Sequence, residues 1–152
     1  MQADLRVKFF RLIVMFVLLP LIGCSTTGAG KSSMTGDPPS EAGIEERWGV
    51  KVLSIRHSAG GYMLDFRYRV LDPEKALPLF DRKIKPHLVD EATGAVFAVP
   101  EPPKVGALRS TRKPQPGKNY FVMFANPGGY VKKNSKVSVV IGDFRAENLV
   151  VQ

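Results

Sequence analysis

The chemistry this chain can offer rests on few side chains. His57 and His87 are its only histidines, and Cys24 is its only cysteine. A metal shared by the two histidines would draw on Asp65, Asp90 or Glu91 for further ligands. No His-x-His, His-x-x-x-His or paired-cysteine spacing supports such a site, so neither a metal nor another cofactor is expected. Covalent catalysis needs a nucleophile, a base and a group that orients the base. The serines fall mostly in turns or in the 25–47 stretch, and no Gly-x-Ser-x-Gly occurs. Asp90 and Glu91 could act as an acid–base pair, but adjacent residues of a strand face opposite sides. Gly30-Lys31-Ser32 ends like a phosphate-binding loop. That loop needs glycine where Ser25 stands, and a strand before it. No catalytic residue is expected, and the chain reads as non-enzymatic.

Two other groups of residues could act by contact. Arg109, Arg112, Lys113 and Lys118, with Lys132, Lys133 and Lys136, lie in or near turns. Gathered at one end of a domain they would face anionic headgroups or glycolipid. Arg109, Arg112, Lys113, Lys132 and Lys133 are the candidate contacts. The second group is Tyr120-Phe121-Val122-Met123-Phe124-Ala125, apolar on both faces of a strand. Tyr120, Val122 and Phe124 suit a core, which turns Phe121 and Met123 outward. Either the Pro-rich 100–108 segment or the 72–80 turn covers them, or they form a partner surface.

The elements that must position these residues are short and extended. Trp48 to Arg56 is rich in β-branched residues and reads as a first strand. Ser58-Ala59-Gly60-Gly61 is a turn. Tyr62, Leu64, Phe66, Tyr68 and Val70 then alternate with Met63, Asp65, Arg67 and Arg69, as a half-buried antiparallel strand requires. Asp72 and Pro73 suit the cap and first position of a short helix that Pro78 should stop. Pro86–Asp90 and Ala95–Val99 flank Gly94 as a hairpin. Pro100-Glu101-Pro102-Pro103 breaks the pattern. Asn119–Ala125, Val137–Ile141 and Ala146–Val151 read as further strands, with turns at Asn126–Gly129 and around Asn134. Seven to eight short strands without a long helix predict an all-β fold. The expected architecture is an antiparallel β-sandwich spanning 48–152, with a small closed barrel as the alternative. The likeness to immunoglobulin-like sandwiches is architectural only, because no cysteine pair brackets Trp48.

The amino terminus has a different composition. Arg6, Lys8 and Arg11 precede an uncharged apolar run from Leu12 to Ile22, then Gly23 and Cys24. This is the layout of a secretory signal peptide over 1–23. The run is shorter than the ~20 apolar residues a spanning helix needs. Leu21-Ile22-Gly23-Cys24 resembles the lipobox of bacterial lipoproteins. The resemblance covers residues 6–24. It implies cleavage after Gly23, a diacylglyceryl group on the Cys24 thiol and, as a rule, an acyl group such as palmitate on the new amine. More than one chain suits the physics, since a single myristoyl chain holds a protein only marginally. Ser25 follows, where aspartate commonly signals inner-membrane retention in enteric lipoproteins. The resemblance therefore implies the periplasmic face of the outer membrane. Residues 25–47 carry few apolar side chains and read as a disordered tether, with at most a helical turn at Ile44–Arg47.

Charge and compartment then bound the function. Removing Arg6, Lys8, Arg11 and Asp4 from 22 basic and 14 acidic residues leaves a net charge of +6. Such a surface favours anionic partners, and an envelope location argues against nucleic acid. With the lone cysteine committed to lipid, no disulfide holds the domain, so its core must. The expected protein is a membrane-anchored envelope lipoprotein with a non-catalytic binding or scaffold domain. It would serve as an accessory subunit or protein-interaction module with an envelope protein partner. It resembles small uncharacterised envelope lipoproteins of this layout. A periplasmic small-ligand or metal carrier or sensor is the second expectation, and an envelope enzyme the third.

Overall fold

The computed structural model of the chain describes residues 40–152. The expected signal peptide 1–23, Cys24 and most of the expected tether lie outside the described residues. Seven strands form two antiparallel sheets packed as a β-sandwich. The strands are β1 (Val50–Ser58), β2 (Met63–Val70), β3 (His87–Asp90), β4 (Val96–Ala98), β5 (Asn119–Ala125), β6 (Lys136–Ile141) and β7 (Phe144–Val150). One sheet has the order β1-β2-β5 and the other β4-β3-β6-β7. The C-terminal Gln152 joins them at one edge. Its N–H donates to the Ile55 carbonyl at 3.0 Å and its carbonyl accepts from His57 N at 3.0 Å.

The alternation of β2 decides which side is core. Leu64, Phe66, Tyr68 and Val70 are buried, whereas Arg67 and Arg69 on the other face are exposed. They meet Val122 and Phe124 of β5 and Leu88, Val137, Val139, Ile141 and Phe144 of the opposite sheet in one apolar cluster. Phe80 closes one end, its ring 4.8 Å edge-on from Tyr120 and 6.2 Å from Tyr68. Asp65 departs from the alternation. It belongs to the outer face yet is buried, because Arg67 Nε donates to it at 2.8 Å and Arg56 pairs with it at 3.8 Å.

Ordered structure begins earlier than the composition implies. Residues Glu41–Trp48 form a helix, α1, capped by Ser40, whose side chain accepts from Gly43 N at 3.2 Å. Its apolar stripe is only Ile44 and Trp48, four residues apart and so on one face. Ile44 is buried, and Trp48 packs edge-on against Phe144 with ring centres 5.8 Å apart. Arg47 lies over the Trp48 ring at 5.3 Å. The folded unit therefore begins before Trp48. Gly49 ends α1 in the left-handed region (φ 61°), with its N–H donating to the Glu45 carbonyl at 3.0 Å. A second short helix, α2 (Pro73–Ala76), is capped by Asp72, as its sequence predicts, and continues as one 3-10 turn to Phe80.

Candidate functional site

His57, Asp90 and Glu91, weighed as metal ligands or an acid–base pair, each make hydrogen bonds that hold loops. His57 Nε2 donates to the Val131 carbonyl at 2.9 Å. Asp90 is buried in the β3–β4 hairpin and accepts from Thr93 N at 3.2 Å and Thr93 Oγ1 at 2.6 Å. Glu91 accepts from Ser138 Oγ at 2.8 Å and Asn148 N at 2.7 Å. Asn148, at φ 57°, sits where the β6–β7 register slips, so Glu91 satisfies an N–H the ladder leaves over. Among the described residues no three His, Cys, Asp or Glu side chains gather as metal ligands would.

The candidate basic residues separate. Lys132 and Lys133 are exposed in the turn after β5, whereas Arg112 and Lys113 lie in the loop before it. Seven extended residues span roughly 20 Å, so β5 places the two sets at opposite ends of the sandwich. The expectation that they gather at one end is corrected on that ground.

Arg109 is corrected more sharply, because it is not a surface contact. It is 7% exposed. Its Nη1 donates to the Ile84 carbonyl at 2.9 Å and its Nη2 to the Leu79 carbonyl. It thereby clamps the 77–86 loop to the strand-like segment that carries it. That segment runs beside β5, where Arg109 bridges Val122, Ser110 N donates to Phe121 O at 2.9 Å and Met123 N to Leu108 O at 2.9 Å. Its Nε has no partner among the described residues, and no carboxylate there forms an ion pair with it. Burial pulls its pKa below the usual arginine value, and Tyr68 and Asp81 oppose that shift.

Two clefts open at this segment, and Arg109 and Thr111 line both. The first, of about 460 Å³, is walled by Ile84, Pro86, Val99, Val105 and Ala107, with Arg82 and Lys85 at its polar side. Lys85 pairs with Glu101 on its rim at 2.7 Å. The second, of about 630 Å³, is lined by Arg112, Lys113, Lys118 and Phe121. Of the candidate partner surface, Phe121 is 40% exposed and Met123 partly buried. The Leu108–Ser110 backbone covers the edge of β5 and leaves that face partly open. Arg82 and Lys85 were missed because they follow the core residue Phe80 in a loop. The charge-rich run Asp81-Arg82-Lys83-Ile84-Lys85 was the available signal.

No protein-family model, characterised protein or solved structure matches this chain. Among the described residues no helix is long and apolar enough to cross a membrane.

Proposed function

We propose that this chain is a lipid-anchored envelope protein whose β-sandwich is a non-catalytic binding module. The observation that carries the reading is Leu21-Ile22-Gly23-Cys24 at the end of an eleven-residue apolar run behind Arg6, Lys8 and Arg11. That arrangement suits export followed by acylation of Cys24, on the periplasmic face of the outer membrane. The binding role draws support from side chains that are already occupied, since His57, Asp90 and Glu91 hold loops together rather than face a shared space. The outer face of β5, with Phe121 and Met123 beside Arg67, suits an envelope protein partner. A small-ligand carrier is the second reading, and the paired clefts at Arg109 favour it. Metabolic labelling with a palmitate analogue tests the anchor. Label should enter the wild-type chain and be absent from Cys24→Ala, with the protein moving from membrane to soluble fractions. Equal label in both would contradict the proposal.

A further inference from the structure

The outer face of the β1-β2-β5 sheet points away from the core and carries a surplus of one charge. Arg56, Arg67 and Arg69 are exposed on it, and Asp65 among them is 5% exposed. Each arginine is steadied through its Nε. Arg67 Nε donates to Asp65 Oδ2 at 2.8 Å, Arg56 Nε stands 3.8 Å from the same oxygen, and Arg69 Nε donates to Asn119 Oδ1 at 2.9 Å. Among the described residues no hydrogen bond takes up their terminal nitrogens. The register sets Phe121 opposite Arg67, Met123 opposite Asp65 and Asn119 opposite Arg69. Asn119 and Phe121 also line the second cleft, so its Arg112, Lys113 and Lys118 continue the same surface. Along this surface Asp65 is the one carboxylate, and Arg56 and Arg67 already share it.

The residue types on the sheet narrow the kind of anion. The outward positions of β2 and β5 hold Met63, Arg67, Arg69, Phe121 and Met123, and no lysine or glutamate. Arginine, methionine and aromatic residues are enriched where proteins meet, whereas lysine and glutamate are depleted there. A guanidinium fixed at Nε keeps its terminal N–H groups in one plane, ready for the two oxygens of a carboxylate. Phe121, 40% exposed, offers apolar area beside Arg67. An anionic bilayer needs only point charge, which Lys132 and Lys133 supply equally at the far end.

We propose that the outer face of β2 and β5, continued by the loop 110–118, docks an acidic segment of a protein partner. Its carboxylates pair with Arg67, Arg69 and Arg112, and its apolar side chains lie on Phe121 and Met123. This inference rests on reading the domain as a binding module for an envelope protein, and gives that partner's chemistry.

Fluorescence anisotropy on the purified full-length chain in detergent micelles tests it, with a labelled synthetic peptide that alternates glutamate with leucine as probe. Binding should saturate and should weaken with added salt. The glutamine analogue of the peptide should not bind. Arg69→Glu/Arg112→Glu, which leaves Arg67 over Asp65, should weaken binding by about tenfold or more, and Phe121→Ala should weaken it as well. Lys132→Glu/Lys133→Glu, at the far end, should leave it unchanged. No saturable binding, equal binding of the glutamine analogue, or equal loss in both double variants would overturn the site. So would tighter binding to phosphatidylglycerol vesicles that Arg69→Glu/Arg112→Glu abolishes, which would make the face a lipid contact. In cells, benzoylphenylalanine in place of Phe121 should crosslink to an acid-rich peptide. A crosslink to a basic or neutral peptide would keep the partner surface and overturn its acidic chemistry. Cys24→Ala should bind the probe like the wild type, so the face and the anchor fail or stand separately.

Discussion

Single residues hold the loops that the strands leave open. Asn126 is fully buried in the β5–β6 connection. Its Nδ2 donates to the Gly61 and Val131 carbonyls at 2.8 and 3.0 Å, and its Oδ1 accepts from Val131 N at 2.8 Å. Asn126→Ala removes all three bonds and leaves the Val131 N–H buried without an acceptor. It should cost about 3 kcal/mol in chemical denaturation. Tyr68 sets a pH limit. Burial pushes its phenol well above its ordinary value of 10.0, with nearby Arg109 pulling back. The folded state keeps the proton that the unfolded chain releases. This contribution is therefore complete below pH 10.0 and is lost as pH rises beyond it. Denaturation series between pH 9 and 11 should show a shallower decline for Tyr68→Phe than for the wild type.

At the scale of elements, the join between α1 and β1 is the least tolerant point. The Gly49 carbonyl accepts from Leu71 N at 2.7 Å and Asp72 N at 3.0 Å, which presses its backbone against the cap of α2. A Cβ there would stand 2.6 Å from Asp72 Cβ and 2.7 Å from the Asp72 carbonyl, on a backbone at φ 61°. Gly49→Ala should lose more than about 2 kcal/mol and lower the melting temperature accordingly. Gly61→Ala shares the positive φ but meets nothing within 4 Å, so it should cost clearly less.

The elements also explain what could be read from the chain. The alternation through Leu64, Phe66, Tyr68 and Val70 fixes β2, and the turn residues Asn126–Gly129 fix the end of β5. Asp72 and Pro73 announce α2 because a cap is a local interaction. Helix α1 was hidden for the opposite reason. Its two apolar residues gain their burial from Phe144 and the core, which lie far along the chain. Arg109 misled in the same way. A loop arginine is buried here only because two distant carbonyls, at Leu79 and Ile84, receive it. Asp65 is covered by arginines on its own strand and on β1, a cross-strand effect that alternation alone does not contain.

Over the whole molecule, a sandwich without a disulfide rests on one apolar core with Leu64, Phe66, Tyr68, Phe124 and Phe144 fully buried or nearly so. Asp90, Glu91 and His57 serve loops and hairpins. The basic residues around Arg109 and those of the 132–133 turn stand at two ends, and two clefts open at the Arg109 end. Whether this domain is held at a membrane through Cys24, as proposed, is tested most directly by the mass of the mature amino-terminal peptide. The expected peptide begins at Cys24 and carries a diacylglyceryl group with a further acyl chain. A peptide that retains Leu21-Ile22-Gly23 with an unmodified Cys24 thiol would contradict it.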